Sequence, residues 1–489
     1  MSLDKIIMLI FILSIFSENV HGEGYNLDRV VSEKLIAKID DFHNVSILLS
    51  PDNRHIAYIV KEEDKDVLFV DGSSSKKRYQ EISDLTFSPD SNHTAYRAND
   101  GGKEFVVHDG KELKKYGFVG PDLVFSPNSN HIAYTACDNG TIPLKYFVVI
   151  DDKELNNFRH FFYLLFSKDS DHLAYEAEDV SGFNIVEDNK SGKIYRKVDY
   201  LTFSPDGNHL AYSASPDIGT DIVVLDSNES SGYDWMSVGK LSFSPDSQHF
   251  GYLINENDLS NDSAFVVIDG KQGKKYAEVS NLVFSPDSKH RAYLAKDGPI
   301  GYRKMFWVID DKEQERYNDM GLAVDLVFSP NGDRSTYIGE TGKFGSEKYF
   351  AVIDGKEQQQ YEDFLGGGLT FSPDSKQIAY VIHHISNISN KGSQDTLILD
   401  GKDIGKYDVI DALTFSPDSK KIAYVATENA TDSVVVGGTK GRNYDQILTS
   451  YSQSKIQFDS PDSLHYLARD GGKIYLVEEK IKLRAATPP

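Results

Sequence analysis

One phrase returns eleven times along this 489-residue chain and leaves little freedom in how it can fold. It reads Leu85-Thr86-Phe87-Ser88-Pro89-Asp90, then Ser91-Asn92-His93-Thr94-Ala95-Tyr96. Its serine falls at Ser50, Ser88, Ser126, Ser167, Ser204, Ser244, Ser285, Ser329, Ser372, Ser416 and Ser460, a mean spacing of 41 residues. Periods of about 40–45 residues with β-type patterning belong to propeller blades, each a four-stranded sheet. The fold class expected is therefore all-β, a β-propeller of eleven four-stranded blade repeats. The repeats take up nearly all of the chain, so no separate catalytic domain is expected within it.

Each copy parses into four strands. Strand A is of the Leu201-Thr202-Phe203 type, and Ser-Pro-Asp turns the chain, proline presetting φ while serine and aspartate bond the nearby backbone. Strand B is of the Ile132-Ala133-Tyr134 type. Strand C, as in Phe265-Val266-Val267-Ile268, is apolar and β-branched, as a buried strand should be. Asp269-Gly270 then supplies the two positive-φ positions of a tight hairpin. Gly273-Lys274-Lys275-Tyr276 is expected as strand D, the outer one.

Twenty of the 28 tyrosines fall on this repeat. Strand B carries Tyr58, Tyr96, Tyr134, Tyr175, Tyr212, Tyr252, Tyr293, Tyr337, Tyr380, Tyr424 and Tyr466, and strand D carries nine more. A ring at the same place in every blade is a packing element between blades, with a hydroxyl that reaches a polar partner. A carbohydrate-stacking surface is the alternative use of such rings.

The Ser-Pro-Asp-(Ser/Gly)-x-His-(Ile/Leu)-Ala-Tyr phrase resembles the TolB-like, WD40-like β-propeller repeat of exported proteins, and related propellers precede the catalytic domain of prolyl-oligopeptidase-type peptidases. The resemblance spans all eleven repeats. The TolB family implies six blades after a small α/β domain, whereas only residues 23–49 separate the leader from the first repeat serine here.

Propellers usually close with four to eight blades. Eleven therefore predict two joined rings, or alternatively one large ring. Repeat length grows from about 40 to about 44 residues after Ser285. This places the rings at residues 23–280, about six blades, and 281–489, about five. The degenerate fourth copy, where Lys168 replaces the proline and Glu187-Asp188 stands in for Asp-Gly, offers a boundary near residue 200 instead. Leu35-Ile36-Ala37-Lys38-Ile39 lies where a strand D belongs. It is expected to complete the last blade of the chain or of its own ring, removing a free edge.

Residues 1–22 read as a cleaved signal peptide. An apolar run from Ile6 to Phe16 follows Lys5, and Val20-His21-Gly22 fits the cleavage pattern. The run is too short to span a bilayer, so the expected location is secreted, periplasmic or extracellular, with no membrane span after cleavage. One cysteine, Cys137, permits no internal disulfide. A formal charge of −23 repels nucleic acid.

Eight histidines follow the repeat aspartate or asparagine by three residues, among them His55, His93, His131 and His465. Equivalent positions on neighbouring blades stand a blade width apart, so they are read as turn-exit residues rather than metal ligands. Their collective protonation near pH 6 is a weaker functional reading. Bases on strand D, such as Lys114, Lys274 and Arg316, read as edge protection, with an anion-binding rim as the alternative.

The B–C loops vary most, and they supply the candidate partner-binding residues Glu62, Glu63, Asp64, Asp138, Asp258, Asp262, His383 and His384. No cofactor and no metal site is expected. Calcium in the acidic loops is conceivable, but no loop carries the EF-hand spacing. Eight Asn-x-Ser/Thr sequons, from Asn44 to Asn429, would matter only where glycosylation occurs. Nucleophile-elbow, Walker, dinucleotide and zinc-protease motifs are all missing from the sequence. The expected function is a secreted, non-catalytic binding scaffold for a protein or extracellular polymer, held on the loop face or channel mouth. The alternative is an exported propeller hydrolase or lyase acting on a glycan or lactone, with converging carboxylates.

Overall fold

The computed structural model describes residues 27–39, 45–138, 145–234, 236–256, 264–298, 303–317, 326–342, 346–362, 364–383, 394–448 and 456–483. The signal peptide expected at 1–22 lies outside them, as do Asp258, Asp262 and His384. The fold is a β-propeller of eleven antiparallel blades of four strands, some with the first or last strand broken in two. Among the described residues no helix is long and apolar enough to cross a membrane.

The blades group into two compact units that interleave along the sequence. One comprises residues 1–78, 348–351 and 358–489, and holds blades 1, 9, 10 and 11. The other comprises residues 79–347 and 352–357, and holds blades 2 to 7 and most of blade 8.

In the first unit the N-terminal strand Leu27–Lys38 pairs antiparallel with the last strand, Lys473–Leu483, so it completes blade 11 as its outer strand. Arg29 anchors it. Its guanidinium reaches buried Glu479 at 2.5 Å and donates to the Val434 and Thr439 carbonyls of blade 10, each at 2.8 Å. Tyr466 donates to the same Glu479 at 2.6 Å. A buried ion pair is tolerable only when its remaining groups are satisfied in this way.

The repeat phrase has a chemical reason. In blade 2 the Ser88 hydroxyl donates to Asp90 Oδ1 at 2.5 Å and accepts the His93 amide at 3.0 Å. That serine bond holds the Asp90 carboxyl well below its usual range. The next serine, Ser91, takes φ 65°, and its counterpart Ser129 in blade 3 accepts the Asp90 amide at 3.0 Å. The same blade-to-blade link joins Asn128 to Ser170, Asp206 to Ser247, Asp246 to Ser288 and Asp374 to Ser419.

The C–D turns take positive φ at both central residues, as in Asp269 (50°) and Gly270 (73°). The fourth blade keeps this turn one residue later than the sequence reading, at Asp188-Asn189 with φ 47° and 65°. Strand D is also shorter than expected. In blade 6 it is Lys271–Gln272, and Tyr276 rejoins the sheet as a single bridge to Ala264.

The repeat tyrosines pack between blades. Tyr195 of blade 4 meets Tyr212 of blade 5 edge-on at 6.2 Å, and Tyr276 meets Tyr293 at 6.2 Å. All eleven strand-B tyrosines are buried. The strand-D bases serve this seam too: Lys193 and Tyr195 both bind Glu229 of blade 5, at 2.6 and 2.7 Å.

Candidate functional site at the inner edge of blades 4 and 5

Each turn-exit histidine but one is held by its own blade. His55, His93, His131, His172, His209, His249 and His290 place Nδ1 within 2.6–2.8 Å of the C–D turn aspartate. The bond to Asp188 pushes the His172 pKa up. His465 departs from the set. It is buried within strand B of blade 11, where Nδ1 faces Asp459 at 2.9 Å and Nε2 the Asp52 carbonyl at 2.8 Å.

The described loop candidates fall on blades 1, 3 and 9. Glu63 and Asp64 form a two-residue turn with φ 49° and 67°, so the supposed loop is a tight continuation of strands B and C. Arg78 binds Glu62 at 2.8 Å and Glu63 at 3.2 Å. Asp138 ends strand B of blade 3 and is exposed. His383 ends strand B of blade 9, with Nδ1 2.8 Å from the buried Asp395.

The departure that matters lies one residue past each strand-B tyrosine. That position is aliphatic in seven blades: Ile59, Leu253, Leu294, Ile338, Val381, Val425 and Leu467. Where it is aliphatic it joins the core toward the following blade, as Leu253 does with Val279 and Leu282. In blades 2 to 5 it is polar: Arg97, Thr135, Glu176 and Ser213.

Arg97 and Ser213 are satisfied locally, and Thr135 packs against a glycine. Arg97 donates to Ser83, to Asp84 at 2.7 Å and to the Val119 carbonyl of blade 3. Thr135 faces Gly120, where a Cβ would stand 2.1 Å from Thr135 Oγ1. Ser213 donates to the Asp199 carbonyl at 3.3 Å.

Glu176 differs. It is 8% exposed. Burial raises its pKa to about 7, with the Asp199 and Glu178 charges adding and Lys197 opposing. Asp199 lies on strand A of blade 5 (Lys197–Phe203), ion-paired to Lys197 at 2.5 Å.

Strand A is the inner strand, since the first strands of blades 5, 6 and 7 lie against one another. It carries a bulge, and the first bulged residue takes positive φ in several blades: Asp84 (53°), Tyr163 (50°), Tyr200 (56°), Asn281 (53°) and Ala412 (56°). Aspartate and asparagine tolerate that region; a bulky side chain there is an outlier. Blades 4 and 5 nonetheless place tyrosines there, 71% and 51% exposed. Bulges re-aim side chains beside functional sites, and strain of this kind gathers there.

The aromatic strip continues along strand A of blade 4 (His160–Phe166). Phe162, opposite Glu176 in the register, is exposed and stacks on His160 at 4.8 Å, and His160 meets Tyr146 at 5.0 Å. The site thus combines exposed rings, a carboxyl whose pKa burial raises to about 7, and a carboxylate ion-paired to its lysine. The sequence did hold a signal for it: Tyr146, Tyr163 and Tyr200 are among the eight tyrosines outside the repeat.

The first unit offers a hollow of about 370 Å³ lined by Pro51, Pro373, Pro417, Phe415, Phe458 and their neighbours. No ionisable side chain lines it.

No protein-family model matches the chain, and no curated protein matches it. Solved structures similar to it include a eukaryotic initiation factor, 12% identical over 72% of this chain and 95% of its own, with a TM-score of 0.39. The β-propeller domain of the trilobed protease from Pyrococcus furiosus is 13% identical over 60% of this chain and 100% of its own, with a TM-score of 0.29. A TolB from Agrobacterium tumefaciens, 16% identical, covers 42% of this chain and 84% of its own, with a TM-score of 0.24.

Proposed function

We propose that this propeller is an exported binding scaffold whose partner, a protein or extracellular polymer, seats on the inner edge of blades 4 and 5. The observation that carries the reading is the pair of exposed tyrosines, Tyr163 and Tyr200, held at positive φ on two successive inner strands. Folding alone gives no return for that strain. The exposed rings lie on the inner strands of blades 4 and 5, the second of which also carries Asp199. This suits a segment carrying cationic groups, because a cation is drawn both to a ring face and to a carboxylate. A TolB-like affiliation and cleavage after Gly22 belong to the same proposal; N-terminal sequencing of the exported protein should begin at Glu23.

Binding of the full chain to an array of basic peptides and charged polysaccharides tests the site. Replacing both rings (Tyr163→Asn, Tyr200→Asn) should weaken the strongest interaction roughly tenfold. Unchanged binding in that variant, with loss on Glu63→Gln and Asp138→Asn, would move the partner to the B–C loops.

A second reading draws on Glu176 itself. A carboxyl held near pKa 7 beside a charged one is the asymmetry by which glycoside hydrolases divide acid from base. Release of reducing ends from a glycan, lost in Glu176→Gln with binding retained, would establish it.

A further inference from the structure

The turn-exit histidine of blade 2 has a neighbour that its counterparts lack. The residue before each C–D turn is aliphatic in blades 3, 6, 7 and 8, as Ile150, Ile268, Ile309 and Ile353 show. In blade 2 it is His108, which ends strand C (Lys103–His108) immediately before Asp109. The repeat thus delivers one histidine and one carboxylate to this spot in seven blades, and in blade 2 it delivers a second histidine.

One ligand atom each of His93, His108 and Asp109 lies within 4.8 Å of the other two. Asp109 Oδ2 stands 2.7 Å from His93 Nδ1 and 3.6 Å from His108 Nε2. Ligands at about 2.0–2.1 Å around a tetrahedral zinc are separated by about 3.3 Å, so only small adjustments bring the three atoms onto one ion. His108 Nε2 is enclosed yet makes no hydrogen bond, a state that costs free energy in a purely structural histidine.

The surroundings fit a ligand set. The Thr94 amide donates to Asp109 Oδ1 at 2.9 Å and fixes the carboxylate so that Oδ2 faces the histidines. The His108 ring packs edge-on against Phe125 of blade 3 at 5.6 Å and against His93 at 5.8 Å. Asp109 is exposed, so an ion has a path in.

We infer that His93, His108 and Asp109 form a binding site for a borderline divalent cation of the Zn²⁺ class. The ion replaces the proton that His93 and Asp109 share. Two imidazole nitrogens and one carboxylate oxygen suit Zn²⁺ better than Ca²⁺ or Mg²⁺, which prefer all-oxygen sets. Three protein ligands leave a fourth position for water or for a donor atom of a partner.

Zn²⁺ titrated into the metal-stripped full chain, with a chromophoric chelator as competitor, tests the site. The wild type should take up one equivalent that His108→Ile loses, with affinity falling at least about tenfold. His108→Ile installs the residue that blades 3, 6, 7 and 8 use, so it should fold; its unfolding midpoint without metal checks this. Zn²⁺ should raise the midpoint of the wild type and leave that of His108→Ile unmoved. Absence of a stoichiometric Zn²⁺ in the wild type, or equal affinity in His108→Ile, would overturn the assignment.

Discussion

Blades 4 and 7 are built from the same phrase and differ at two places that decide what each can do. Blade 7 puts Asn281 at the inner-strand bulge and Leu294 after its strand-B tyrosine, a residue that accepts positive φ and a residue that fills the seam. Blade 4 puts Tyr163 and Glu176 at those places. Blade 7 thus spends its side chains on stability, whereas blade 4 keeps an exposed ring and a poorly solvated carboxyl that stability alone would remove. Within one repeat architecture, such departures point to function because every other blade supplies an internal control.

The comparison can be broken from either side. The largest effect should come from making blade 7 resemble blade 4: Leu294→Glu buries a charge with no prepared partner and should cost about 5 kcal/mol in a denaturant titration. A cost near zero would mean that the seam of blade 7 is as tolerant as that of blade 4. Next come the two kinds of tyrosine. Tyr175→Ala empties a fully buried inter-blade position and should destabilise by about 3–5 kcal/mol, while Tyr163→Ala should cost under about 1 kcal/mol. Similar losses for both would erase the distinction between packing rings and presented rings.

Glu176 gives a pH test with a definite sign. Its folded pKa, about 7, lies above the ordinary 4.5, so the unfolded chain releases the proton first. The native state therefore carries no penalty below about pH 4.5, loses stability as pH rises from there to 7, and carries the full penalty above. A shift of that size corresponds to about 3 kcal/mol at most. Glu176→Gln should thus gain stability at pH 8 and nothing at pH 4; an equal gain at both pH values would contradict the assigned cause. The smallest effect is local strain: Tyr163→Asn should stabilise by up to about 1 kcal/mol.

Much of the fold was legible because the repeat states it eleven times. Ser-Pro-Asp, Asp-Gly and the strand-B tyrosine each have a local physical reason. The turns and the buried ring are used as expected, but the hydroxyls of Tyr96, Tyr134, Tyr175 and Tyr337 are buried without the expected hydrogen-bond partner among the described residues. The closing strand was legible from Leu35 to Ile39, though it begins eight residues earlier, at Leu27, because the Arg29–Glu479 pair extends it. The candidate site was harder to see. Variable loops are the usual carriers of binding residues, yet Glu63-Asp64 is a two-residue turn. Tyr163 and Tyr200 stood outside the repeat, but their exposure depends on a bulge whose positive φ leaves no simple pattern in sequence. Glu176 looked like an ordinary strand residue, and only the blade-by-blade alignment of strand B marks it. His108 is hidden in sequence because it lies outside the repeat phrase, on a different strand from the turn-exit histidine His93.

If blade 4 gives up stability to present a site, one variant reveals it without knowledge of any partner. Tyr163→Asn combined with Glu176→Leu rewrites blade 4 with the residues of blade 7. At pH 8 its unfolding free energy should exceed that of the wild type by about 3 kcal/mol. An unchanged or lower value would show that the ring and the carboxyl already serve the fold, and the site at the inner edge of blades 4 and 5 would fall with that result.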